Sequence, residues 1–279
     1  MDSPFSSPPT PNPTPKPTAR EISPRITTAL IGIPLVLLVV WLGGLPFRLL
    51  CLALALGAMR ELQSAAKRSD RLGGARIVGV VAYPAVFWAV WRGLTPNFAW
   101  QVLGALFFLG VLCYGVGPRI SLASMGLTLL ATLYVALFGL LPTLREAGQG
   151  ELFLLTLLAV WASDTAAYFG GRAFGRRSLS PLSPGKTREG MLCGLFAATL
   201  VASLIAGWAQ FSPLQGTALG VIIALAAPFG DLAESLWKRE LGVKDLGTLF
   251  PGHGGILDRC DSLLFAVLGL MLYLAVVTS

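Results

Sequence analysis

The chain holds 279 residues, of which 54 % are hydrophobic and 13 % charged, with a net charge of +7 and a mean hydropathy of +0.72. An ordinary soluble domain cannot bury that apolar excess, so the chain belongs in a bilayer. Soluble enzymes, secreted disulfide scaffolds and nucleic-acid binders are excluded. The single histidine, His253, excludes zinc sites built on two or three histidines and H-E-x-x-H helices. Cys51, Cys113, Cys193 and Cys260 never form a C-x-x-C pair and read as small buried thiols.

Residues 1–24 contain eight prolines interspersed with Ser, Thr and Asn, and predict a disordered tail. No basic start, short apolar stretch and A-x-A-like site follow one another there, so no cleavable signal peptide is expected. Beyond the tail, hydropathy predicts about nine transmembrane helices, near 26–43, 45–60, 77–92, 98–116, 121–141, 152–170, 190–209, 214–234 and 256–277. The ~10-residue alternating segments of a membrane barrel are absent. The expected fold is therefore an all-α polytopic membrane protein. It divides into the tail, N-terminal transmembrane helices over 25–150, and C-terminal catalytic helices with cytoplasmic loops over 151–279.

Orientation follows from the basic residues. With the tail and every second loop on one side, that side collects 18 of the 21 Lys and Arg, and only Arg48, Arg92 and Arg145 fall on the other. Basic loops resist translocation, so the tail is expected in the cytoplasm and the C-terminus outside. The acids Asp164, Glu189, Asp231, Glu234, Glu240, Asp245, Asp258 and Asp261 then all belong to the inner side. A site built by residues 160–262 is the expectation.

Asp258 and Asp261 are three residues apart on the opening turn of the last span and share a face; Asp231 and Glu234 repeat the spacing on the span before. Carboxylate pairs on adjacent helices at one depth repel unless cations lie between them, and hard oxygen ligands suit Mg²⁺. Asp164 lies within an apolar span, where a carboxylate is costly without partners. Favourable charge at a helix N-terminus is the simpler account of Asp258 taken alone. The turn Pro251-Gly252-His253-Gly254-Gly255 before the last helix suits an oxyanion, or is only a tight connection. Lys238, Arg239, Lys244 and Arg259 add charge suited to phosphate. Upstream, Arg172, Arg176, Arg177, Lys186 and Thr187 form a second basic patch without Walker spacing. Tyr168 is a candidate for stacking a base or an interfacial aromatic.

The stretch 235–261 reads S-x-x-K-R, four residues, K-D, then H-G-G-x-x-D-R-x-D, and resembles the signature of the phosphatidate cytidylyltransferases (CDP-diacylglycerol synthases). Asp164 with Tyr168, Gly171 and Gly175, and the segment Ser183-Pro184-x-Lys186-Thr187-x-Glu189-Gly190, resemble the family's upstream motif. Trp237 and Cys260 stand where aliphatic residues are usual, and Gly185 and Arg188 replace a common Lys and Trp. Over 1–150 the likeness is in hydropathy, with Arg60-Glu61 resembling a common Glu at the end of the second span.

The resemblance implies transfer of CMP from CTP to phosphatidate, giving CDP-diacylglycerol and pyrophosphate, on the cytoplasmic face of the inner (plasma) membrane. Asp231 and Asp258 are the expected leading Mg²⁺ ligands, with Asp261 and Asp164 as further ligands or supporting groups and room for a second cation near a bend at Pro228. Lys186, Lys238, Arg239, Lys244 and Arg259 are expected at phosphates, and His253, Gly254 and Gly255 form a turn around them. Thr187, Glu189, Ser235 and Tyr168 complete the substrate side. CTP, phosphatidate and membrane lipids are the expected partners, a homodimer is allowed, and nucleic acid is not expected. A CTP-using polyprenol or phytol kinase would have similar parts but transfer the γ-phosphoryl group. A solute transporter would show paired repeats and mid-membrane polar residues, and the sequence shows neither.

Overall fold

A computed structural model describes residues 19–68, 75–94, 97–98, 101, 104–105, 122–147, 150–180, 183–247 and 254–278. In chain order these form α1 (Ala19–Leu42), α2 (Gly44–Arg68), α3 (Ala75–Arg92) and α4 (Leu122–Ala136). A single 3₁₀ turn (Leu137–Gly139) then leads into α5 (Leu140–Ala147) and α6 (Glu151–Phe174). Strands β1 (Ser178–Ser180) and β2 (Ser183–Thr187) precede α7 (Arg188–Ile205), α8 (Pro213–Leu241) and α9 (Leu257–Thr278).

Eight of the nine expected spans coincide with helical segments, and the fourth, 98–116, lies largely outside the described residues. The helical, polytopic character is shown, and the count of nine is not reached among the described residues. Among the described residues, five helical stretches are long and apolar enough to cross a bilayer: 126–147, α6, α7, α8 and 257–277. The second half of α2 carries Arg60, Glu61, Lys67 and Arg68, which ends its apolar run early, and the described apolar part of α1 is only Gly32–Leu42.

Two further boundaries move. α1 begins at Ala19, inside the segment read as tail, because residues 19–23 hold no proline and include the strong helix formers Ala, Arg and Glu. α8 continues to Leu241, seven residues beyond the expected end, so Ser235, Lys238 and Arg239 are helical rather than in a loop. It stops where Gly242 takes φ +64° and its N–H bonds back to the Lys238 and Arg239 carbonyls.

The all-α expectation also needs correction. β1 and β2 pair antiparallel, Ser178 opposite Thr187 and Ser180 opposite Ser183. The hairpin ends where the Thr187 hydroxyl accepts the Gly190 N–H, capping α7.

Helices α6, α7, α8 and α9 pack tightly on one another through small residues. Gly190, Gly194, Ala198 and Ala202 form a buried i, i+4 stripe on α7. A Cβ on Gly194 would lie 2.9 Å from the Ser163 hydroxyl, so α6 and α7 meet nearly backbone to backbone. A first apolar core joins α2, α3 and α4 to α9 around Met59, Phe138, Leu144 and Leu264; a second fills the space between α6, α7 and α8 around Leu155 and Ile223.

Candidate active site

Three helices deliver the acids. α6 carries Asp164, α8 carries Asp231 and Glu234, and α9 carries Asp258 and Asp261. The crossing of α8 and α9 brings the last four together because residue 230 has no side chain. A Cβ there would overlap the Asp261 carbonyl and lie 2.8 Å from the Ser262 nitrogen. The acids beside that contact, Asp231 and Asp261, are therefore brought together, with Glu234 within electrostatic reach of Asp261. Asp164, from α6, lines the same cavity as Lys186 and Asp231. The result is a line of carboxylates running from Asp164 through Asp231, Asp261 and Glu234 to Asp258.

Lysines hold this line together. Lys186, from β2, is ion-paired with Asp231. Lys238 is ion-paired with Asp258 and lies 2.8 Å from Glu234, one helical turn before it. Asp258 also accepts the Gly255 N–H at 2.7 Å, and Gly254 reaches that turn with φ +85°. Asp261 is 4 % exposed; one of its oxygens accepts the Ser262 N–H at 2.7 Å and the other is buried without a hydrogen-bond partner. Such an oxygen is costly to bury unless a proton or cation reaches it.

Beside the acids lies a cavity of about 430 Å³ between α6, α7, α8 and the hairpin. Asp164, Tyr168, Arg172, Lys186, Thr187 and Asp231 contribute its polar wall, and Pro228 and Met191 part of its apolar one. Asp231 belongs both to this wall and to the line of acids, so the cavity opens onto the carboxylates.

The remaining expected site residues divide clearly. Tyr168 is exposed on the cavity wall, packed edge-on against Phe169 at 5.3 Å. Thr187 caps α7, and the Glu189 carboxylate accepts the Arg176 and Arg177 N–H groups at 3.0 and 3.3 Å, tying the end of α6 to the start of α7. Ser235 is half-buried on α8, while Arg239, Lys244 and Arg259 are exposed. His253 lies outside the described residues.

Three neighbours of the acids carry no role in the sequence reading. Glu234 is noticed only as the partner of Asp231 in spacing, yet it is 7 % exposed and held by Lys238. Tyr134, from α4, stacks on Trp237 with ring centres 6.4 Å apart and meets Phe265 edge-on at 6.1 Å. Trp237 and Phe265 sit one turn beyond Glu234 and Asp261, so the buried Tyr134 hydroxyl, which has no hydrogen-bond partner, lies on the side of the acids. Glu61, from α2, accepts the backbone N–H of Ile256 through both oxygens, at 2.9 and 2.8 Å. Those bonds occupy the opening of α9, which the sequence reading offers to phosphate.

A family model described as the cytidylyltransferase family matches residues 23–277. A phosphatidate cytidylyltransferase of Brucella suis is 33 % identical over 271 residues, covering 92 % of this chain and 94 % of the relative. The Helicobacter pylori phosphatidate cytidylyltransferase is 44 % identical over 138 residues, and the Synechocystis one 48 % identical over 117. Those two matches span 49 % and 40 % of this chain, and 51 % and 40 % of the relatives' own lengths.

Proposed function

This chain belongs to the cytidylyltransferase family, and from that membership we propose that it is a membrane-embedded phosphatidate cytidylyltransferase, making CDP-diacylglycerol and pyrophosphate from CTP and phosphatidate. The observation that carries the reading is the cavity whose wall holds Lys186 and Arg172 and opens at Asp231 onto carboxylates from three helices. Such a place can bring two anionic phosphates together against fixed cations.

In the proposed reaction an oxygen of the phosphatidate phosphate attacks the α-phosphorus of CTP. A new P–O–P link forms, the bond between the α-phosphorus and the bridging oxygen breaks, and its electron pair leaves with pyrophosphate. A phosphomonoester with a second pKa near ~6 is largely ionised at neutral pH, so no strong base is needed. Lys186 and Lys238, now held by carboxylates, are placed to transfer their N–H donors to phosphate oxygens. Arg172 extends the cationic wall towards the cavity mouth, and the exposed Tyr168 ring offers a face for the cytosine. The acyl chains remain in lipid, for which exposed Leu192, Phe196 and Leu204 on α7 are suited.

The acids fit Mg²⁺ by donor chemistry: they are all oxygen ligands, and Asp261 brings one buried oxygen without a partner. Among the described residues no group of three or more His, Cys, Asp or Glu is already arranged to hold a metal. Ligation by Asp231 and Asp258, supported by Asp261 and Asp164, therefore requires Lys186 and Lys238 to exchange carboxylate for phosphate. Mg²⁺ bound there would supply positive charge to both phosphates and fix their mutual orientation.

The proposed setting is the inner membrane, with the site and N-terminus cytoplasmic and the C-terminus outside. Two of the three basic residues assigned to the outer side support it: Arg48 bonds the Trp91 carbonyl at 2.9 Å, beside Arg92, and Arg145 bonds the Val40 carbonyl at 2.8 Å. Both sit at the end of the bundle away from Glu61. The deciding experiment supplies purified protein with phosphatidate, Mg²⁺ and CTP labelled at either the α or the γ phosphorus. Label in the lipid from the α position is expected; label from γ alone would replace this reading with a kinase.

A further inference from the structure

Glu61 lies 195 residues before the backbone it holds. Helix α9 begins at Leu257, and the first N–H groups of any helix have no partner within it. Here the Glu61 carboxylate accepts the Ile256 N–H at 2.9 and 2.8 Å and the Leu257 N–H at 3.4 Å. It is a cap supplied from another helix, with its charge at the positive end of α9.

The space around this carboxylate is shaped for it. A Cβ on Gly255 would come within 2.5 Å of Glu61 Oε2, and one on Gly247 within 2.6 Å of its Cγ. Two glycines of the segment between α8 and α9 thus leave room for one side chain of α2. The grip extends along α2. Gly57, one turn before Glu61, admits the Ile256 side chain against the helix backbone, and Arg68, two turns after it, donates to the Leu246 carbonyl at 3.2 Å. Positions 57, 61 and 68 lie on one stripe of the helix.

The next residue after Leu257 is Asp258. Its two carboxylate oxygens are committed to the Gly255 N–H and to Lys238, so its orientation depends on where the backbone of 255–257 is held. We propose that Glu61 is a positioning residue: by clamping the opening of α9 to α2 it sets the direction of Asp258, and through it the approach of a divalent cation to the acids. This rests on the reading of the site given above. It also assigns the N-terminal half of the chain a part in the chemistry.

The test uses the full chain in detergent and two readouts: kcat and KM with CTP and phosphatidate, and the rise in Tm produced by Mg²⁺ alone. Glu61→Gln keeps the size of the side chain and one acceptor oxygen but removes the charge. The expected result is a kcat lower by about 10- to 100-fold, the range seen when a group orienting a metal ligand is lost, with KM for CTP little changed and the Mg²⁺-dependent rise in Tm reduced. A variant with wild-type kcat and a wild-type response to Mg²⁺, differing only in its Tm without metal, would reduce Glu61 to a helix cap and overturn the proposal.

If Glu61→Gln does not accumulate as folded protein, Gly247→Ala decides the matter. Its methyl group displaces the Glu61 carboxylate without removing it, and the same two losses are expected; their absence overturns the proposal equally. A wild-type protein that takes no α label from CTP would instead refute the cytidylyltransferase reading. The Mg²⁺-dependent difference in Tm between wild type and variant still judges Glu61 by itself.

Discussion

In residues 151–278 the helices cross where side chains are small: Gly194 meets Ser163, Gly220 meets the backbone at Thr199, and Gly230 meets that at Asp261. Among the described residues of 19–147, large side chains such as Met59, Phe138 and Leu144 are buried together with alanines such as Ala55, Ala58 and Ala65, and Gly139 lies against the Ala89 carbonyl. The first arrangement brings polar backbone and carboxylates within reach of one another; the second fills volume. Close crossings are what a site of converging charges needs, because side chains as short as Asp reach across only when the axes are close. The first half contributes by gripping the second, through Glu61 and Arg68 at one end of α2.

If the chemistry resides in the close-packed half, the largest losses should come from its acids. Asp231→Asn and Asp258→Asn are each expected to lower kcat on the order of 10²- to 10³-fold while the protein remains folded, measured as α label entering lipid. Asp231→Asn leaves Lys186 without its carboxylate, and Asp258→Asn weakens the hold on Lys238. Wild-type rates in both would break the comparison at its centre. Next comes Gly230→Ala, whose methyl group would force α8 away from the Asp261 backbone. A cost of about 1–3 kcal/mol is expected from overpacking, accompanied by a fall in kcat because Asp231 and Asp261 separate. Gly126→Ala on α4, with nothing within 4 Å of the added carbon, is the matched control and should shift stability by less than about 1 kcal/mol. Thermal unfolding in detergent measures both.

The convergence of the acids was legible in the sequence because i, i+3 spacing and the expense of a carboxylate in an apolar span each constrain where Asp231, Asp258 and Asp261 can point. The hairpin was not. Residues 178–187 are Ser, Pro, Gly and Lys rather than alternating β-formers, and pairing there is imposed by the α6–α7 connection, with Glu189 pinning one end. Glu61 was visible as a charged residue at the end of an apolar run and as the match to a common Glu of the family, but its partner was not, since no local pattern announces one 195 residues away. Tyr134 leaves no trace at all: an aromatic inside an apolar segment reads as core, and only the structure shows its ring against Trp237 and Phe265, one turn from Glu234 and Asp261. The second span was read as shorter than α2 for a related reason. Hydropathy registers apolar length, and α2 uses its last two turns to hold the segment before α9 rather than to extend its apolar face.

The far end of the first half should be important for stability and silent in catalysis. Arg145 donates to the Val40 carbonyl at 2.8 Å and the Trp41 carbonyl at 3.2 Å, capping the C-terminus of α1, and lies over the Phe47 ring at 5.9 Å. Arg145→Ala removes both bonds and is expected to cost about 1–2 kcal/mol, with kcat unchanged. Retained stability would mean that α1 is held by lipid and its apolar contacts alone.

The smallest effect belongs to Glu146, which receives Arg48 through two bonds of 2.8 Å. The side chains of the pair are 30 % and 46 % exposed, so solvent screens most of the attraction. Glu146→Gln keeps an acceptor for the guanidinium, and Arg48 retains its bond to the Trp91 carbonyl. A change below about 1 kcal/mol is expected, shrinking further as salt is raised. Arg48 and Glu61 are thirteen positions apart on α2, or about 20 Å along its axis, so kcat should not respond. A fall in kcat here, with Tm preserved, would show that α2 transmits changes from one end to the other, and the division between a half that packs and a half that reacts would have to be redrawn around that helix.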